Sequence, residues 1–532
     1  MSVADSHKQA RHSRLFLYYL VLTAVTCGAL VMVVEVLGSR VIGPFFGVSL
    51  FVWTSLITVT LIALAFGYAV GGVVSDRRDS PDYLYGIIFV AGLLILAIPF
   101  AKSLVLKSCL PLGLRLGALA SSFLLFGPSL FFLGCVSPYI IKIAAREMMS
   151  IGRTVGLFYA LSTIGSFLGT IVTGFVLIAY LGVDRIFEAT GLLLAGLSLG
   201  YFFLLKKQRY APLVLILLIP VWLHNPESVV SKTMRNGTQV AKVFAKDSFY
   251  GNLKVIDYSF GSVRTRELII DGLVQGGIDR NSGMSIYEYS YFLEFLPFRL
   301  NPSGKNCLVI GLGAGVIPQW YEQRGIRTDV VDIDPQVVDI ARNYFGFTLA
   351  GDMIVSDARY YLVNSGKKYD YVILDVFNGD TTPGHVLSLE ALRLLNKRMT
   401  AQGILAVNLV GSLHQDTFMT ASVVHTLEKV FQTVEIHPTF SPREGSGSGN
   451  LILLAYQTPA RKPDAESTRA FPIAEMAREG VNRNIDSTFR FPSETPALIL
   501  SDDYNPIDFY DRRLKERVRE DIIKSTDWEI LI

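Results

Sequence analysis

The chain has little cysteine and little charge. Its four cysteines, Cys27, Cys109, Cys135 and Cys307, are scattered through 532 residues, and three lie in apolar runs. Their spacing provides neither a metal site nor a disulfide framework, so they read as small buried hydrophobes and no metal is expected. Charged residues make up only 18% of the chain and hydrophobic ones 51%, which excludes an ordinary soluble composition. The charge is also uneven. Residues 1–235 hold 18 Lys+Arg against 9 Asp+Glu, and the remainder holds 31 against 37. A mildly acidic second half argues against nucleic acid and for a cationic partner.

What the first half does have is long hydrophobic runs. Residues 15–34 follow Lys8, Arg11 and Arg14. This run is long for a signal peptide and lacks a small-residue cleavage site, so it is read as a retained first span. Runs at 50–74, 83–101, 116–141, 154–180 and 186–205 can each hold the roughly 20 residues that cross a bilayer. The shorter run at 211–223 can cross, re-enter or lie in the interface, giving about six to eight spans. Basic residues gather before the first span, at Arg77 and Arg78, at Lys142, Arg146 and Arg153, and at Lys206, Lys207 and Arg209. The alternate loops, with Arg40, Lys102, Lys107 and Arg185, are poorer, which places the N-terminus in the cytoplasm. Glu35 in the first run is either functional or paired with Arg40 near the surface. Gly165 and Gly169 form a G-x-x-x-G that, with Gly174, suits close helix packing. The segment Gly67 to Arg78 resembles the short loop motif of major-facilitator transporters, which keeps a transporter reading open.

Past Pro226 the character changes. Residues 249–274 alternate apolar and polar and predict short strands in hairpins. Residues 284–298 are aromatic-rich and helix-like. From residue 305, strand-like runs (CLVIGLG, TDVVDID, YDYVILD, GILAVNLV) alternate with helical ones (GVIPQWYEQ, PQVVDIARNYF, LEALRLLNKRM). That alternation predicts a doubly wound, mostly parallel sheet, which binds ligands at the carboxyl ends of its strands. Those ends carry Gly311, Gly313 and Gly315, then Asp332 and Asp334, then Asp357, then Asp375. Glycines let backbone approach a ligand closely, and a carboxylate after the next strand can accept ribose hydroxyls. Three strand-end carboxylates would repel a pyrophosphate but suit a nucleoside that bears positive charge. A sulfonium nucleoside, S-adenosylmethionine or a relative, meets both demands.

These residues resemble the spermidine synthase group of aminopropyltransferases over roughly 245–460. DGLVQ at 271–275, GLGAG, VDIDP, SDA at 356–358 and the strand ending at Asp375 fall in the family's order. EVLGSR at 35–40, FGVSLFVW at 46–53 and SDDYNP at 501–506 are similar to its multispanning, membrane-fused branch. The resemblance implies that Gly311, Gly313 and Gly315 form the turn beside the sulfonium tail. Asp332 would hold the ribose, Asp357 the adenine amine, and Gln275 the nucleoside from the other side. Asp375 would be the catalytic aspartate, assisted by Tyr289, with Asp502 and Tyr504 closing the site. Asp380 stands in for a second aspartate that the family places where Asn378 is. His385 lies just past Asp375, where it can line the acceptor pocket or stand in solvent. The co-substrate would be decarboxylated S-adenosylmethionine, with no prosthetic group, and the acceptor a polyamine.

Two departures bear on chemistry. The family's acid within the glycine turn is Ala314 here, which puts the choice between decarboxylated and intact nucleotide in doubt. The tyrosine-led substrate segment reads Tyr289-Ser290-Tyr291 and lacks the family's glutamate.

The expected organisation is an α-helical polytopic membrane domain (1–225), a small β-hairpin and substrate-gate region (240–300), a Rossmann-like, methyltransferase-type α/β domain (301–460), and a C-terminal linker with a helical tail (461–532). Because sulfonium nucleosides are cytoplasmic, the catalytic domain is expected to face the cytoplasm from the plasma (inner) membrane after an even number of crossings. Any further short span is expected near 100–115. Segment 441–449 reads as a mobile loop or lid, and residues 457–475 as a polar linker before a helical C-terminal tail. Partners would be a polyamine and the bilayer, with a homodimer left open. The leading expectation is a membrane aminopropyltransferase. The alternatives are a membrane-bound methyltransferase and a polyamine transporter or sensor with a nucleotide-binding regulatory domain.

Overall fold

The computed structural model describes residues 3–47, 50–148, 151–208, 214, 216, 231–234, 236–377, 383–442 and 447–507. The chain divides into two compact units, residues 1–228 and 229–531.

The first unit is helical. Its helices are α1 (Val3–Phe46), α2 (Leu50–Arg77), α3 (Pro81–Cys109), α4 (Gly113–Met148), α5 (Ile151–Val172) and α6 (Val183–Leu204). A π turn, Thr173–Leu177, prolongs α5. Five helical stretches are long and apolar enough to cross a membrane. One of them, Pro81–Ala145, runs for 65 residues, several times the roughly 20 that a bilayer needs. It is divided by a 3-10 turn, Leu110–Leu112, that ends at Gly113 with φ of +76°. Residues 100–115 are therefore the end of α3, a turn and the start of α4, not a further span. Pro111 and the left-handed glycine explain the break. The run at 211–223 falls outside the described residues except for positions 214 and 216.

Glycines set the helix packing. A Cβ on Gly165 would lie 2.1 Å from the Val25 carbonyl oxygen, and one on Gly169 2.4 Å from that of Ala29, so α5 meets α1 backbone to backbone. Gly174 has nothing within reach, so it takes no part in that contact. Gly67 and Gly71 of the transporter-like segment pack against Phe131 and Cys135 on α4, and Asp76 pairs with Lys142 at 2.6 Å. Glu35 is partly buried in α1. Large apolar side chains such as Leu61, Phe66, Phe167 and Phe175 are more than 60% exposed.

The second unit begins with a five-stranded antiparallel meander: β1 (Ser231–Thr233), β2 (Gln239–Asp247), β3 (Asn252–Phe260), β4 (Val263–Ile270) and β5 (Leu273–Asp279). It is wider than the hairpins expected over 249–274, because β1 and β2 lie before that window. Helix α7 (Glu288–Leu300) follows. A second sheet is built from β6 (Asn306–Ile310), β7 (Arg327–Asp332), β8 (Met353–Val355), β9 (Tyr369–Leu374), β10 (Met399–Ser412), β11 (Thr433–Pro438) and β12 (Ser448–Tyr456). Its order is β11-β12-β10-β9-β6-β7-β8. The first five in chain order run parallel, and β12 is antiparallel to both β10 and β11. Helices α8 (Val316–Glu322), α9 (Pro335–Phe345), α10 (Ala358–Asn364), α11 (Leu389–Lys397) and α12 (Phe418–Glu428) connect these strands, and α13 (Glu475–Asn484) follows. This is a Rossmann-like, methyltransferase-type α/β fold.

Strands β6, β9 and β10 are almost wholly buried, as expected where helices cover both faces. Strand order reverses between β6 and β9, which opens a crevice at their carboxyl ends. The polar stretch read as a linker, 457–475, is docked. Phe471 packs against Phe295, Phe298 and Trp320, and Arg299 donates to Thr468 Oγ1 at 2.6 Å. Segment 441–449 lies partly outside the described residues, and its end, from Ser448, opens β12.

Candidate active site

The crevice is organised by the turn after β6. Gly311, Gly313 and Gly315 have φ of +93°, +53° and +79°, a region that side chains with a Cβ rarely enter. A Cβ on Gly311 would sit 2.0 Å from the Asp375 carbonyl oxygen. Only glycine lets the ends of β6 and β9 approach this closely. A Cβ on Gly313 would meet the Gln275 carbonyl oxygen at 2.8 Å, so the turn also lies against β5 and brings Gln275 to its edge.

The side of the crevice formed by the ends of β7 and β8 carries carboxylates. Asp332 ends β7 and accepts from the amides of Leu312 (2.8 Å) and Asp334 (2.9 Å), tying β7 to the glycine turn. Burial pushes its carboxyl up to about 6, against the pull of those amides. Asp334 caps α9 by accepting from Gln336 N at 2.9 Å, and its Oδ2 is buried with no hydrogen-bond partner. Asp357 caps α10 through Tyr360 N at 2.9 Å. Its other oxygen lies 3.4 Å from His385 Nε2. The structure thus places His385 beside Asp357. Sequence reasoning missed Tyr250, in the β2–β3 loop. Burial raises its phenol, and the charges of Asp334, Asp357 and Asp332 add to the effect, so its ring stands near all three.

Asp375 follows β9, and its amide donates to Ile310 O at 2.9 Å. Asn408 Nδ2, on neighbouring β10, donates to Asp375 Oδ1 at 2.8 Å. Asn450 Nδ2, one strand further on, donates to Asn408 Oδ1 at 2.9 Å. This chain of amides fixes one carboxylate oxygen. The other has no hydrogen bond among the described residues, so it is free to meet a substrate. Burial pushes Asp375 up to about 6, with the Asn408 hydrogen bond opposing. Tyr289 lies in the first turn of α7. Its phenol is raised by burial and further by the Asp375 charge. A Cβ on Gly276 would lie 3.2 Å from Ala314 Cβ and 3.8 Å from the Tyr289 hydroxyl, so these three residues meet beside the turn.

Asp502 takes a bidentate pair from Arg359, with both contacts at 2.7 Å, and Arg359 lowers its carboxyl. Arg359 lies two residues after Asp357, so the pair ties the C-terminal segment to the start of α10. Tyr504 is exposed, and its amide donates to Ser501 Oγ at 3.1 Å. Asp380 lies outside the described residues. No group of three metal-ligating side chains occurs among the described residues.

Residues 287–455 match the spermine/spermidine synthase domain. The second unit contains a spermine/spermidine synthase domain. It is thereby a transferase domain. The chain is 29% identical over 221 residues to a polyamine aminopropyltransferase of Vibrio vulnificus, which covers 39% of this chain and 70% of that enzyme. It is 31% identical over 157 residues to an N-terminal histidine N-methyltransferase of Emericella nidulans, covering 28% of each. A solved spermidine synthase from Thermotoga maritima is similar over 50% of this chain and 92% of its own, at 15% identity and a TM-score of 0.37. In this synthase domain the strand-end carboxylates line one crevice, with Asp375 and Asp357 on opposite sides of the strand-order reversal.

Proposed function

We propose that the protein is an integral membrane aminopropyltransferase. It moves an aminopropyl group from decarboxylated S-adenosylmethionine to putrescine or another polyamine and releases methylthioadenosine. The observation that carries this reading is Asp375, held on one oxygen by Asn408, raised to about 6 by burial, and set beside the glycine turn.

In this reading the nucleoside lies over the glycine turn, with its ribose toward Asp332 and its adenine toward Asp357. The acceptor amine approaches between Asp375 and Tyr289. An amine nitrogen is mostly protonated at neutral pH and must lose a proton to attack. The free oxygen of Asp375 accepts that proton and holds the nitrogen in line with the sulfonium carbon. A carbon–nitrogen bond forms, the carbon–sulfur bond breaks, and its electron pair neutralises the sulfonium. A base near 6 is ionised at neutral pH yet basic enough to take the proton.

The apolar helices of the first unit, and the outward-facing Leu61, Phe66, Phe167 and Phe175, support insertion in a bilayer. The basic bias of the loops supports a cytoplasmic N-terminus in the plasma (inner) membrane, with the synthase domain facing the cytoplasm.

Ala314 and the fungal N-methyltransferase likeness support a second reading, methyl transfer from intact S-adenosylmethionine. The test is the nucleoside product. Purified protein is supplied with either nucleotide and a panel of polyamines, and the products are read by mass spectrometry. Methylthioadenosine with a lengthened polyamine, abolished by Asp375→Asn, is the expected result. S-adenosylhomocysteine would assign methyl transfer instead.

A further inference from the structure

Beside the glycine turn, but outside the crevice, the second unit contains a cavity of about 270 Å³ between α7, α8 and the loop after β5. Ala314 and Gly315 contribute to its wall, whereas Asp332, Asp357, Asp375 and Tyr289 do not. Glu294 of α7 lines it. That side chain is 1% exposed and makes no hydrogen bond or ion pair among the described residues. Burial pushes its carboxyl well above the usual range, with Arg324 pulling the other way.

Arg324 attracts Glu294 across the cavity wall but makes no direct ion pair or hydrogen bond with it among the described residues. Its guanidinium lies 3.7 Å from the Trp320 ring centre and 4.1 Å from that of Phe471. Its Nη1 donates to Trp320 O at 2.9 Å, and its Nε is sealed from solvent without an acceptor. A buried carboxylate left without a partner costs several kcal/mol, roughly, when ionised. A cation arriving in the cavity removes that cost.

The walls decide the class of cation. A hard metal ion needs about six oxygen ligands, and Glu294 is the one carboxylate on this wall. An anion would face Glu294. Apolar groups, Met284, Ile278 and Phe345 among them, suit methylenes, and Gln319 offers an oxygen acceptor to an ammonium. The volume lies just below the about 300 Å³ at which drug-sized sites begin, so the ligand is small.

We infer that this cavity is a second binding site, for a short aliphatic amine whose ammonium pairs with Glu294. The inference does not depend on the reaction assigned to Asp375.

The test is equilibrium dialysis of full-length protein with labelled 1,4-diaminobutane in an Asp375→Asn background, which removes turnover and weakens any amine bound at the crevice. One equivalent is expected to remain. Adding Glu294→Gln should weaken it by about tenfold or more, as loss of a charged hydrogen bond does. Met284→Trp, which narrows the cavity while leaving the Glu294 carboxyl in place, should remove the same equivalent. Binding unchanged by Glu294→Gln overturns the inference. So does binding lost in Glu294→Gln but kept in Met284→Trp, since the glutamate would then act only through the fold. If the Asp375 reading fails, wild type and Asp375→Asn bind alike, and the Glu294 comparison is unaffected.

Discussion

Asp375 shows how one residue can carry opposing demands. Its folded-state carboxyl is near 6, above the ordinary aspartate value near 3.8. The folded protein therefore holds this proton more tightly than the unfolded chain does. The stabilisation is fully present below about pH 4 and is lost as pH rises through 6. At pH 7.5 the ionised group burdens the fold by roughly 1–3 kcal/mol, since each pH unit between the folded and unfolded values is worth about 1.4 kcal/mol. Asp375→Asn is thus expected to raise the melting temperature at pH 7.5 while abolishing turnover, and to show no such gain at pH 4; differential scanning calorimetry at the two pH values checks this. Asn408 acts on the same proton. Its donated hydrogen bond favours the ionised form, so Asn408→Ala raises the carboxyl further. In the pH–rate profile, wild type should lose activity below about pH 6, and Asn408→Ala should shift that limb upward and lower kcat about tenfold or more. A purely structural asparagine would lower activity without moving the limb. The Asp375 position was legible because an apolar strand ending in an acid is a local pattern. Asn408 and Asn450 were not, because each is polar inside a buried strand and acquires its meaning only from the strand beside it.

At the scale of elements, backbone contacts between helices and between strand ends determine the architecture. The Gly165–Gly169 pair brings α5 onto α1. Gly165→Leu is expected to destabilise the first unit by about 1–3 kcal/mol, as overpacking does, measured by unfolding in mixed detergent micelles. Gly174→Leu, with open space around it, should be close to neutral. The parallel core was legible from alternating strand and helix runs with glycine or aspartate at their joints. The meander's β1 and β2 and the strands β11 and β12 were less so: β1 is only three residues long, too short for an alternation to register even though Asn236-Gly237 marks the turn after it, and β12 pairs antiparallel with both β10 and β11, outside the repeating pattern. The docked 457–475 segment was misread for a related reason. It is polar in composition, yet it is anchored by Phe471 and by Arg299 from a distant helix.

At the scale of the whole molecule, the two units differ in surface. The first is rich in exposed apolar side chains, and the second encloses two layers of buried residues around a sheet. In the proposed membrane topology, a cytoplasmic N-terminus and a cytoplasmic synthase domain together require an even number of bilayer crossings before residue 226. An alkaline phosphatase fusion at Pro226 should therefore be inactive, and a green fluorescent protein fusion there should fluoresce. A phosphatase-active fusion would sink the topology.

The amino-acid sequence by itself determined the runs that become helices, the glycine turn, and the order of acids along the strand ends. Each depends on neighbours a few residues away, through hydrophobic periodicity and the backbone freedom of glycine. Only the tertiary structure decided what those acids face. The amide chain behind Asp375, the ring of Tyr250 near three carboxylates, the Arg359 clamp on Asp502 and the enclosed Glu294 all join residues far apart in the chain. Strand order and helix packing bring them together, and burial then sets the charge each group can hold.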